Sequence, residues 1–185
     1  MHYSVCDFLL DIVQNSIEAG SANIVLKILE ENRLLEVYVE DNGKGMDEEE
    51  LEKIRDPFYS DGQKHSKRKV GLGIPFLLHA VELAGGSCNI TSKKGKGTIV
   101  SFSFPMDSID SPPLGDLPGL FLSSMCFDGN YELSIYRRNK EADIDYVLHR
   151  SELLEIVGSF NKADALLDLK DFLVSQELAS GEVVS

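Results

Sequence analysis

Residues 37–46 read VYVEDNGKGM. The first half closes an alternating run, LLEVYVED at 34–41, whose period of two predicts a half-buried strand. The second half follows at once with Asp41-Asn42-Gly43-Lys44-Gly45-Met46. Gly43 and Gly45 permit positive φ and let a backbone approach a flat ligand closely. Asp41, at the strand end, is an acceptor suited to an amino group such as that of adenine. Taken alone, the same residues describe an ordinary Asn-Gly turn equally well.

Moving toward the N-terminus, ANIVLKILE at 22–30 alternates as a second strand, and Asn32-Arg33 would turn the hairpin. Residues 4–19 carry Val5, Phe8, Leu9, Ile12, Val13 and Ile17 at three- and four-residue spacing, an amphipathic helix with Ser4 as N-cap and Gly20 as stop. Asp7, Asp11, Asn15 and Glu18 share its opposite stripe. Such a stripe is ordinarily a solvated acidic face. Its oxygens also suit magnesium, which takes few protein oxygens plus phosphate oxygens.

Toward the C-terminus, a short acidic helix is expected at about 47–54. Residues 55–72 show no period and hold Pro57, Gly62, Gly71 and the bases Lys64, Lys67, Arg68 and Lys69, so they read as a loop. Gly71-Leu72-Gly73-Ile74 then opens a helix over 73–84, with Pro75 in its first turn. Backbone N–H groups at a helix start bind phosphate well, and a basic loop ahead of them fits a polyphosphate, although a lone GxG is a weak signal. Strands are expected at 87–93 and 97–104 around the turn Lys94-Gly95-Lys96, with Thr98 able to place a hydroxyl at a ligand edge.

Pro105 to Pro118 holds four of the six prolines and reads as a linker. Beyond it a small acidic α+β extension is expected: an apolar segment at 119–126, strands near 131–137 and 142–148, and helices near 151–158 and 161–178. The expected organisation is therefore 1–105, a linker at 106–118, and 119–185.

The chain has 185 residues, 43% hydrophobic, with a formal charge of −13. Residues 1–105 contribute 16 acids and 12 bases; residues 106–185 contribute 15 acids and 6 bases. An acidic surface repels nucleic acid, so binding of nucleic acid by the chain alone is not expected. No apolar run is long enough to span a bilayer, and the first residues lack a secretory pattern, so the expectation is a cytoplasmic protein off the membrane. Cys6, Cys88 and Cys126 are odd in number and widely spaced, which fits reduced thiols. No GxxxxGK[ST] occurs, so there is no P-loop.

Four boxes stand in order. LDIVQNSIEAGSANI at 10–24 resembles the asparagine box of MutL-type ATPases. VYVEDNGKGM resembles the first glycine box of the GHKL superfamily, DPFYSDGQKHSKRKVGLGIPF at 56–76 the phenylalanine box, ATP lid and second glycine box of sensor kinases, and GKGTIVSFSFP at 95–105 the terminal glycine-threonine element. The resemblance covers about residues 4–105. It implies a Bergerat-type fold: an α/β two-layer sandwich with a mixed, largely antiparallel sheet, helices on one face, and ATP with Mg2+ between helices and lid. On this resemblance Asn15 binds the metal and Asp41 reads the adenine amino group. Gly43, Gly45 and Met46 line the base, and Phe58 is the aromatic near the lid. Gly71 and Gly73 cradle phosphate over Leu72 and Ile74, Lys69 is a further phosphate contact, and Thr98 completes the adenine–aspartate network.

Two positions depart from the pattern. Hydrolytic relatives carry a glutamate general base four residues before the metal asparagine; here Asp11 stands there, one methylene shorter. Glu18 replaces the Asp of the NSxDAG string. The resemblance thus implies an ATP-binding switch with slow hydrolysis that regulates a protein partner, with Asp11 as its catalytic carboxylate. It alternatively implies a protein kinase, of the anti-sigma serine or histidine kinase type, acting on a separate protein. A decayed, purely structural site is a third reading, against which Asn15, Asp41 and both glycine pairs stand intact. His2, His65, His79 and His149 read as surface or packing residues.

Overall fold

The computed structural model describes residues 4–55 and 73–178. Helix α1 (Val5–Glu18) begins in a capping box: the Ser4 side chain accepts from the Asp7 N–H, and the Asp7 carboxylate accepts from the Ser4 N–H at 2.8 Å. Two more amides of its first turn, those of Val5 and Cys6, donate to the carbonyls of Pro113 and Leu114. Strands β1 (Asn23–Glu31) and β2 (Leu34–Asp41) form the expected hairpin, with Asn32 and Arg33 both at positive φ. The order continues with α2 (Glu48–Arg55), α3 (Gly73–Ala84), β3 (Ser87–Lys93), β4 (Gly97–Pro105), α4 (Leu117–Cys126), β5 (Glu132–Asn139), β6 (Ile144–His149), α5 (Arg150–Val157) and α6 (Ala163–Gln176).

All six strands form one sheet in the order β3-β4-β2-β1-β5-β6, antiparallel except for the parallel pair β1–β5. The register stacks one inward row across it: Val100, Val39, Leu26, Ile135 and Leu148 are successive partners and all are buried. The alternate positions, Tyr38, Ile99, Tyr136 and Val147 among them, are exposed. The helices therefore cover one face, giving a two-layer α/β sandwich with a mixed, largely antiparallel sheet.

The acidic residues after Pro105 enter this same architecture. β5 pairs along the free edge of β1, and the apolar segment near 119–126 is helix α4, capped by the Asp116 carboxylate on the Gly119 N–H. Leu120, Phe121 and Met125 of α4 share one buried cluster with Leu9 of α1 and Val37 of β2. Pro118 suits the first turn of α4 because it has no N–H to satisfy there.

A buried cation sits between β1, β5 and α6. Arg137, 2% exposed, donates to Glu30 at 2.5 Å and to both carboxylate oxygens of Glu177 at 3.1 and 3.2 Å. The Tyr146 hydroxyl also donates to Glu177. Burial alone pushes the Tyr146 pKa up, and the Glu177 carboxylate pushes it further.

Candidate functional site

The β2–β4 register sets Asp41 directly opposite Thr98, and the β1–β2 register sets it beside Ile24. Asp41 lies on the inward face, two residues beyond Val39, as the strand period requires. It is 9% exposed. Three donors fix its carboxylate. Oδ1 accepts from the Gly43 N–H at 2.8 Å and from the Ser21 hydroxyl at 3.0 Å; Oδ2 accepts from the Ser16 hydroxyl at 3.0 Å. Asn42 points the other way, its side-chain oxygen accepting from the Ala22 and Asn23 amides at 2.9 Å each, which ties the β2 end to the α1–β1 connection.

The glycines of this segment serve close packing. A Cβ on Gly43 would lie 2.5 Å from Ser21 Oγ, and one on Gly45 would lie 2.1 Å from the Lys93 carbonyl oxygen, with φ at +61°. Gly45 thereby brings Met46 against the end of β3. The Met46 N–H donates to Ser92 Oγ at 2.8 Å, and Ser92 Oγ shares a hydrogen bond with Thr98 Oγ1 at 2.9 Å. Thr98 is thus held through Ser92, a partner different from Asp41's own donors.

Asp11 and Asn15 lie one helical turn apart on α1, and the Asn15 amide N–H donates to Asp11 Oδ2 at 3.3 Å. Among the described residues nothing donates to the amide oxygen of Asn15, which could meet a hard cation. Gly73, first residue of α3, closes over this pair: a Cβ there would lie 1.9 Å from Asp11 Oδ2. Burial raises the Asp11 pKa above the ordinary aspartate value, the Asn15 hydrogen bond works against that rise, and the Glu18 charge adds to it.

These groups line one cavity of about 250 Å3. Asp41, Ser16 and Thr98 contribute polar groups to its lining, and Val39, Met46, Ile54, Ile90 and Val100 contribute apolar ones. Asp11, Asn15, Ile74, Lys44 and Gly45 complete the lining. A largely apolar cavity with fixed acceptors in its lining could take a purine, and the Asn15 amide oxygen could meet a magnesium ion, which takes few protein oxygens. Among the described residues no group of three His, Cys, Asp or Glu could hold a metal by itself. The three cysteines are free; burial pushes the Cys6 thiol up to about 12 and the Cys88 thiol to about 11, so neither is a thiolate near neutrality.

Of the residues singled out from sequence, Asp11, Asn15, Asp41, Gly45, Met46, Ile74 and Thr98 meet at this cavity. Gly43 and Gly73 pack directly behind it, against Asp41 and Asp11. Phe58, Lys69, Gly71 and Leu72, with the expected lid at 59–70, lie outside the described residues. Sequence reasoning passed over Ser16, Ser21 and Ser92. Ser16 follows Asn15 on the inward side of α1, and that periodicity was the available signal. For Ser21 and Ser92 there is none, because their partners come from other elements.

The fold and the site together define the Bergerat type of α/β sandwich. Residues 4–108, more than half of the chain, match the family described as histidine kinase-, DNA gyrase B-, and HSP90-like ATPase, and the chain belongs to that family. It is 33% identical over 101 residues to sporulation kinase C of Bacillus subtilis (strain 168), covering 54% of this chain and 23% of that protein. It is 29% identical over 107 residues to the sensor histidine kinase WalK of the same organism, covering 55% of this chain and 18% of that protein. The sensor protein KdpD of Clostridium acetobutylicum is 33% identical over 101 residues, covering 54% of this chain and 11% of that protein. The chain thus spans less than a quarter of each of these relatives. Among solved structures, the catalytic domain of histidine kinase ThkA is similar at 24% identity with a TM-score of 0.41, covering 55% of this chain and 64% of that one. Among the described residues, no helix is long and apolar enough to cross a membrane.

Proposed function

We propose that this chain binds ATP with Mg2+ in the cavity between α1, β2 and β4, and works as a cytoplasmic regulatory switch on a protein partner, with slow hydrolysis. The observation that carries the reading is the Asp41 carboxylate, held by three donors in the lining of a largely apolar cavity that the Asp11–Asn15 pair also lines. Asp41 would accept the adenine amino group, Met46 and the aliphatic side chains would sandwich the ring, and Thr98 would border its edge. Asn15 would hold the metal that the family generally uses, which screens phosphate charge when bound. Phe58, Lys69, Gly71, Leu72, Gly73 and Ile74 are assigned by resemblance to the phosphate and lid side.

Asp11 is the proposed catalytic carboxylate. It shares a helix face with Asn15, so a group fixed by Asn15 lies within its reach, and an ionised Asp11 would take a proton from the attacking water. Positioning dominates phosphoryl transfer, so its shorter arm favours slow turnover. All nucleotide contacts are assigned to residues 1–105, while the acidic residues 119–178 extend the same sheet and core.

A second reading, a protein kinase acting on a separate partner, is favoured by the relatives themselves, which are sensor and sporulation kinases. The test is ATP titration by calorimetry with and without magnesium, followed by single-turnover decay of labelled ATP alone and with candidate partners. Tight, magnesium-dependent binding with slow release of phosphate supports the switch. Label arriving on a partner supports the kinase. Absence of ATP binding by the folded chain sinks both.

A further inference from the structure

A carboxylate on a strand end is not by itself a good reader of a ligand edge. The terminal torsion of Asp is broad, so an unpinned Asp41 would sample several orientations of its oxygen plane. Here the plane is fixed from both sides. Gly43 N–H and Ser21 Oγ take Oδ1, and Ser16 Oγ takes Oδ2. Both serines are almost wholly buried, at 4% and 3% exposure, so their hydroxyls have little water to turn to. Their origins differ: Ser16 comes from the last turn of α1, Ser21 from the connection to β1, and neither adjoins Asp41 in sequence.

The hydroxyl protons have a consequence for recognition. Each serine has one O–H, and each gives it to Asp41. Ser16 lines the cavity beside Asp41, so what it can offer a ligand is its lone pairs. The polar wall formed by Asp41 and Ser16 therefore presents acceptors only. An N–H donor on a purine edge finds partners there; a carbonyl oxygen in the same place meets two acceptors and no proton, the arrangement that discriminates most strongly in a buried site.

We infer that Ser16 and Ser21 are the positioning residues that set base specificity in this chain, by holding Asp41 in one orientation and committing both hydroxyl protons to it. The inference rests on the adenine reading of Asp41. Gly43 belongs to the same device, since any Cβ there would run into Ser21 Oγ.

The experiment compares two probes on the whole chain: ATP, and purine riboside triphosphate, which lacks only the 6-amino group. Affinities are measured by calorimetry for the parent, Ser16→Ala, Ser21→Ala and the double variant. The parent is expected to prefer ATP. Each single substitution should shrink that preference by roughly fivefold to tenfold, and the double variant should nearly abolish it, through weaker ATP binding. Affinity for purine riboside triphosphate should stay within about twofold, which also reports that the pocket remains folded. If both probes weaken together, the serines only support the pocket and the inference fails. If neither moves, Asp41 is positioned without them and the inference fails as well. A parent that binds the two probes equally refutes the adenine reading itself, an outcome visible before any variant is made.

Discussion

Asp41 shows how much a single side chain here depends on its donors. In Asp41→Asn an NH2 replaces one oxygen and faces at least one of Ser16, Ser21 and Gly43, all of which donate. That mismatch lowers stability, and an NH2 turned to the adenine amino group loses the hydrogen bond to it, at about 1–3 kcal/mol, so ATP affinity should fall by roughly one to two decades while the variant still melts cooperatively; calorimetry checks this. Asn15→Ala should remove the gain in ATP affinity that magnesium confers and leave magnesium-free binding in place, as titrations in chelator and in excess magnesium will show. Asp11 titrates in a direction that can be tested. Burial raises its pKa, so the ionised form needed to accept a proton is lost on acidification at a pH above the usual aspartate value of about 3.9. Turnover should therefore decline as pH falls, along a limb that Asp11→Asn removes together with activity, with ATP binding retained. Helix and strand periods put Asp11, Asn15 and Asp41 on defined faces in the sequence, and the family resemblance singled them out there. The fixing of Asp41 was not legible, since Ser16 and Ser21 reach it from other elements.

At the level of elements, the hairpin and first helix could be read closely because they are local: Ser4 caps α1, and Asn32-Arg33 closes a turn between two alternating runs. The inward position of Arg137 is also legible, since Leu133, Ile135 and Arg137 alternate along β5. Its partners are not, because Glu30 and Glu177 stand more than 35 residues away on either side. This ion cluster fastens the C-terminal end of α6 to β5 and β1. Removing one member leaves the others buried and uncompensated, which costs about 3–5 kcal/mol. Arg137→Ala should accordingly lower the urea midpoint strongly. Glu177→Ala should loosen α6 in particular, seen as faster amide exchange around Leu169 and Leu173 than in the parent.

For the whole molecule, the decisive fact is that residues after Pro105 complete the sheet and the core begun before it. Phe121 is fully buried in the same cluster as Leu9 and Val37. Phe121→Ala should destabilise the entire chain by about 3–5 kcal/mol in a single denaturation transition; separate transitions for 4–105 and 117–178 would show two independent cores. The linker-like composition of 106–118 reflects its prolines, yet two of its carbonyls cap α1, a contact that no local pattern encodes. By itself the sequence determined the strand and helix list, because periodicity and turn chemistry act over a few residues, and the family through four ordered boxes; the resemblance nominated Asp11, Asn15, Asp41 and Thr98, which the fold brings to one cavity. Only the tertiary structure decided that β5 lies parallel to β1, that Pro113 and Leu114 cap α1, and that Ser16 and Ser21 orient Asp41. Those contacts join segments whose separation along the chain leaves no periodic trace, and they form because buried polar groups and an open strand edge must find partners wherever the packed core brings them.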